Sequence, residues 1–328
     1  MRLVAQTTLA VSVALLLAGP ALADGPGPGG WPNKPVKIIV PFAPAGPTDI
    51  AARLIAQKMS DNLKQQFYIE NQAGAGGNLG MGNAAKSPGD GYTVLFVSSS
   101  YVVNPSLYAK STYDPYKDFK PLTVAATAAN VLLVNPKVLP VNTPKELADH
   151  ILASPGKYTF ASAGTGTTPH LSGELFKLTF KLDTVHVPFG GAGPAIQSIV
   201  AGHTPLAFTS LPPAVPLIKE GTLRALAVAN KTRVAVLPDV PTLAETGIPD
   251  QEADTFQAVL VPAGVPQDLA TFIYQEVVKA TKSPDVTAKM EQLGLEIICN
   301  TPEQFTQQIK TEIAKWGRVI EQANIPKI

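Results

Sequence analysis

Three segments of this sequence are built to hold an anion. Residues 36–49 (VKIIVPFAPAGPTD), 158–170 (YTFASAGTGTTPH) and 185–195 (VHVPFGGAGPA) each read as a strand, a loop of small residues and a helix start. Each brings backbone N–H groups and a helix N-terminus to the carboxyl end of a strand, where a negative charge is favoured without any cationic side chain. The same Gly, Thr and Pro serve ordinary α/β turns, so one such loop says little. Three in one chain point to a small anionic ligand held largely by main chain. Asp49 reads as a cap or first-turn acid favoured by the helix dipole. His170 lies just inside a helix N-terminus, facing the ligand or packing locally.

Covalent and metal chemistry find little support. Phe160-Ala161-Ser162-Ala163-Gly164 has the serine and one glycine of a nucleophile elbow, with Phe where the first glycine belongs. A triad of Ser162, Asp183 and His170 or His186 is conceivable on that weak basis. Residues 74–80 (GAGGNLG) put Leu79 where a dinucleotide fingerprint needs its third glycine. His150, His170, His186 and His203 are scattered without metal-ligand spacing. The expectation is no catalysis, no cofactor and no metal.

Those loops need a scaffold, and the chain alternates apolar runs with helical patterns. Runs at 36–41, 67–70, 92–97, 206–208 and 223–229 read as strands, and 122–134 as a strand that crosses between domains. Ile50, Leu54, Ile55, Met59 and Leu63 recur at helical spacing. Thr143-Pro144-Lys145-Glu146 is a capping box with Pro at the first helical position. Helices are expected at 48–63, 81–86, 266–281, 284–293 and from 302 to about 322. The alternation predicts parallel α/β units in two lobes, with a ligand at the carboxyl ends of the strands. The lone Cys299 follows an apolar run and reads as a buried strand-end residue.

A net charge of +1 on 328 residues argues against nucleic acid as a partner. Met1-Arg2, an apolar run over 9–18 and Ala21-Leu22-Ala23 read as a cleaved secretory signal peptide over 1–23. Residues 24–31, rich in Gly and Pro, read as a flexible linker.

The loop sequences above, with Trp31-Pro32, Gly74-Ala75-Gly76-Gly77-Asn78, Glu174-Leu175-Phe176 and the run 238–247 (PDVPTLAETG), resemble the Bug family, periplasmic substrate-binding receptors of tripartite tricarboxylate transporters. The resemblance covers essentially the whole mature chain. It implies an α/β, two-lobed type II periplasmic-binding-protein fold with a cleft between lobes. Residues 32–128 with 254–328 would form one lobe and 129–253 the other. It further implies a monomeric receptor in the periplasm that captures a small carboxylate and passes it to a membrane permease. Carried over by position, the ligand residues are Phe42, Pro44, Ala45, Gly46, Thr48, Asp49, Ser99, Tyr101, Ser162, Gly164, Thr165, Thr167, Thr168, His170, Gly190, Gly191, Ala192, Gly193 and Thr209. Ala45 stands where the family commonly has a glycine, and Pro205 and Thr209 where it often has acids. Losing an acid near the cleft suits a dicarboxylate better than an amino acid. A sensory binding protein serving a sensor kinase, and a cleft hydrolase using Ser162, stay open as alternatives.

Overall fold

The computed structural model describes residues 25–322 and 325–328. The leader read over 1–23 lies outside the described residues. The elements are β1 (Val36–Val40), α1 (Pro47–Leu63), β2 (Phe67–Asn71), α2 (Asn78–Ala85), β3 (Thr93–Ser98), α3 (Ser100–Leu107), β4 (Phe119–Val134), α4 (Pro144–Leu152), β5 (Thr159–Ser162), α5 (Thr168–Phe180), β6 (Val185–Pro188), α6 (Ala192–Val200), β7 (Leu206–Ser210), α7 (Val215–Lys219), β8 (Arg224–Val228), β9 (Asp254–Pro262), α8 (Gln267–Thr281), α9 (Pro284–Gln292), β10 (Leu295–Ile297) and α10 (Pro302–Gln322).

Two half-sheets share β4. Phe119 to Ala129 pairs with β9, and Asn130 to Val134 pairs with β7 and β8. The path runs β2-β1-β3-β9-β4-β7-β5-β6, with β10 and β8 also on β4. The inner strands of each half-sheet are buried on both faces, so they read as continuous apolar runs rather than alternating ones. Val40, Ile55 and Ile273 sit in the core on one face of the first half, and Leu95, Tyr101 and Phe305 in the core on the other. In the second half, Phe160 and Phe208 pack with Phe176 of α5 and Leu147 and Ile151 of α4, and Ile196 and Ile199 of α6 fill the opposite face.

The sheet is mixed rather than parallel. β1 with β2 and β3, and β5 with β6 and β7, are parallel as the alternation predicts. β4 and β9 run antiparallel to each other, because one takes the chain into the second lobe and the other brings it back beside the first. β9 also runs antiparallel to β3. Helix α3 went unread: Ser98-Ser99-Ser100 looks like a polar strand end, and Pro105 inside the helix removes its periodic signal.

The expected linker is folded where it is described. Gly25 N–H donates to the Gly30 carbonyl (2.7 Å) and Gly27 N–H to that of Trp31 (2.8 Å). Trp31 is buried, edge-on to Phe67 (5.9 Å) and Phe272 (6.0 Å). The glycines let the chain lie against Phe272, where a Cβ on Gly27 would sit 2.8 Å away. Trp31→Ala should therefore cost about 3–5 kcal/mol of stability in urea unfolding; an unchanged midpoint would restore the tether reading.

Candidate functional site

Helices α1, α5 and α6 aim their N-termini at one small cavity between the lobes. Phe42, Gly46, Pro47, Thr48, Ser98, Ala163, Thr167, Pro169, Ala192, Ser210 and Thr255 line it. The local sequence makes those starts. Gly46 caps α1 in an extended conformation with Pro47 at the first position. The Thr167 hydroxyl accepts from His170 N–H and donates to the Gly164 carbonyl (2.7 Å). Gly191 caps α6. First-turn N–H groups have no carbonyl behind them to bond, and among the described residues those of Thr48 and Ala192 have no hydrogen-bond partner. The lining contains no charged side chain, so its polarity comes from helix dipoles, N–H groups and hydroxyls. The cavity offers about 20 Å³, room for one water-sized body, so a larger ligand needs it to widen.

A hydroxyl and amide cluster lies behind the cavity, where β4 changes partners. Asn130 Oδ1 accepts from Thr255 (2.8 Å) and Ser210 (3.1 Å), and the Thr255 hydroxyl meets that of Thr168 (2.7 Å). It joins β4, β7, β9 and the start of α5 into a floor shared by both lobes.

Two seams close the lobes on either side. In one, Ala43 N–H donates to the Gly190 carbonyl (2.8 Å). A Cβ on Gly193 would sit 2.7 Å from the Pro44 carbonyl, and one on Gly191 3.1 Å from Ala43 N. Pro44, Ala45, Gly190, Gly191 and Gly193 are thus seam residues, small because backbone meets backbone there. In the other seam the Tyr108 hydroxyl donates to the Thr165 carbonyl (3.2 Å).

Asp49 is buried behind the first loop and off the cavity lining. It accepts from Ala45 N–H (2.9 Å), Arg53 Nε (2.9 Å) and Asn71 Nδ2 (2.9 Å). Burial pushes its pKa up, and these hydrogen bonds outweigh that and hold it below the usual carboxylate range. Its bond to Ala45 fixes that residue at φ 64°, where a glycine would rest without strain.

Behind the second loop, His186 Nε2 bonds the Ser162 hydroxyl (2.7 Å), which accepts from Gly164 N–H (3.1 Å). The His170 ring packs on His186 at 4.3 Å between centroids. Burial, with Lys177 nearby, pulls His170 down to about 4. Burial, then His170 and Lys177, pulls His186 down to about 3. Ser162 has no exposed surface, and an imidazole of so low a pKa is a weak base. The Asp183 carbonyl accepts from Gly156 N–H, at the opposite end of β5 from Ser162. The imagined triad is not assembled, and the Ser162–His186 pair instead braces the Gly164 turn.

Of the positions carried over by resemblance, Phe42, Gly46, Thr48, Thr167 and Ala192 line the cavity, and Thr168 sits just behind it. The others are placed elsewhere. Tyr101 is fully buried, stacked on Tyr113, its hydroxyl bonded to the Pro115 carbonyl (2.8 Å). It stands on α3, which turns it into the core. The Ser99 hydroxyl accepts from Phe256 N–H (2.8 Å) and faces a separate polar groove with Asp254 and Lys315. Thr209 is off by one register: alternation along β7 puts Ser210 at the cavity and buries Thr209. Ser210 and Thr255 were missed because nothing local marks a strand residue beside a lobe crossing. Among the described residues, no group of His, Cys, Asp or Glu is placed to hold a metal ion, and no helix is long and apolar enough to cross a membrane.

The family model described as "Tripartite tricarboxylate transporter family receptor" matches residues 51–325. The chain is 33% identical to protein BugT of Bordetella pertussis over 308 residues, 93% of each chain. An R. palustris protein solved with adipate superposes with a TM-score of 0.87 at 33% identity, covering 91% of this chain and all of that one. MatC of Rhodopseudomonas palustris, solved with bound malate, gives 0.84 at 32% identity over 88% of this chain and all of its own.

The buried His170 and the half-buried His186 set a pH dependence. Both are neutral in the folded protein down to about 4, while in the unfolded chain they take protons below 6.5. Protons therefore favour the unfolded state, and stability should fall as pH drops from 6.5 towards 4. Melting temperatures across that range should show the slope, and His170→Asn/His186→Gln should flatten it. An equal slope in both proteins would place the titrating groups elsewhere.

Proposed function

The chain belongs to the receptor family of the tripartite tricarboxylate transporters, and from that premise we propose that it captures a small dicarboxylate between its lobes. In this reading the protein is exported by its leader to the periplasm. It acts as a monomer without catalysis, and its ligand-bound form delivers the dicarboxylate to a membrane permease. The observation that carries the reading is the convergence of three helix N-termini on a cavity with no charged side chain. An anion gains from N–H groups and dipoles there, while a cation finds no acidic partner. α1 belongs to one lobe, and α5 and α6 to the other. A ligand with a carboxylate at each end engages both walls; a monocarboxylate satisfies one and leaves the other to water. The relatives solved with adipate and malate carry ligands of this class.

Calorimetric titration of succinate, adipate and suberate against butyrate, hexanoate and octanoate tests this. The better dicarboxylate should bind at least roughly tenfold more tightly than the monocarboxylate of equal carbon count, a difference of about 1.4 kcal/mol. Equal affinity within each pair would mean that only one wall reads a carboxylate.

A further inference from the structure

The seam formed by Tyr108, Asn104 and Gly76 of the first lobe with Thr165 and Gly166 of the second lies outside the cavity lining. We propose that this seam is a closure latch. It makes Tyr108 and Asn104 positioning residues that set how far the lobes favour the closed form, independently of any contact with ligand.

The seam is fitted by chemistry as well as shape. Asn104 Nδ2 donates to the Gly76 carbonyl (3.0 Å), which holds the 74–77 turn against α3. That turn carries Gly76 so close to the Thr165 carbonyl that a Cβ there would collide with it. Opposite, a Cβ on Gly166 would collide with Asn104 Oδ1 and reach Leu107 and Tyr108 at 3.2 Å. Asn104 is fully buried, and its Oδ1 has no hydrogen-bond partner. The Tyr108 hydroxyl completes the contact on the Thr165 carbonyl. In this closed geometry, the space that side chains would take at Gly76 and Gly166 is filled from the opposite lobe. Whatever stabilises the closed state without touching ligand changes the share of molecules that are closed before ligand arrives.

The opposite seam supplies a reporter. A Cβ on Gly190 would lie 3.9 Å from that of Ala43, inside the span of roughly 3.5–4.5 Å that a disulfide bridges. In an Ala43→Cys/Gly190→Cys protein whose one native cysteine is removed by Cys299→Ser, the rate of oxidative cross-linking without ligand reads the closed population. Tyr108→Phe, which keeps the ring and loses the donor, should slow it about fivefold. Gly76→Ala should slow it at least about tenfold. Gly221→Ala pays a similar left-handed penalty (φ 75° against 60°) with nothing within 4 Å, and should leave the rate unchanged. Rates for Tyr108→Phe and Gly76→Ala equal to the parent's, at unchanged melting temperatures, would overturn the latch. The proposal rests on the two-lobed receptor reading. Adding adipate or malate tests the ligand class separately: a parent rate that neither changes counts against a dicarboxylate, while the ligand-free comparison still decides the latch.

Discussion

The fold hangs on one strand that belongs to two sheets. At Ala129–Asn130, β4 leaves its partner in the first lobe and takes up those of the second, and both carbonyls at the switch are bonded. Leu211 N–H donates to the Ala129 carbonyl and Ala229 N–H to that of Asn130. Ala253 N–H then bonds the Ala229 carbonyl, so the returning chain enters β9 beside the point of departure. A change of partners in mid-strand would otherwise leave buried polar groups bare, at about 1–3 kcal/mol each. The Asn130 carboxamide, with Ser210, Thr255 and Thr168, ties the crossing to the start of α5. The strand crossing and the floor of the cavity are one hydrogen-bonded unit.

From that crossing the rest of the site follows by geometry. Parallel units on each side point the carboxyl ends of β1, β5 and β6 at the gap, and each is followed by a helix whose first turn lacks carbonyl partners. Loops with little side chain let those turns approach. Side chains behind the loops keep them in shape: Asp49 behind the first, and Ser162 with His186 behind the second. The buried acid is matched by three donors, and His170 and the half-buried His186 stay neutral, so neither adds a bare charge near the cavity.

Much of this was legible in the sequence because loop chemistry and apolar runs are local signals. The three strand–loop–helix segments, the capping box at Thr143 and the long strand over 122–134 all declare themselves within a dozen residues. What was not legible depends on partners far along the chain. Nothing near Ser210 or Thr255 says that they meet beside Asn130. Pro105 hid α3, and with it the inward turn of Tyr101 and the placement of Asn104 and Tyr108 against the other lobe. Nothing local says that the space left by Gly191 and Gly193 is met by the backbone of the facing loop. Tertiary packing also overrode the flexible composition of 25–31, because Trp31 anchors that stretch.

On the proposed reading, holding an anion with the main chain has a consequence for how such a receptor changes over time. A peptide N–H cannot be removed by a point substitution unless the new residue is proline, so the donors at Thr48 and Ala192 survive most exchanges of their side chains. Substitution alters instead the shape of the loops and the gap between them. Descent can thus retune the length and outline of the preferred anion while the capacity to hold one persists. The relatives solved with adipate and with malate, each about one-third identical to this chain, carry acids of different length.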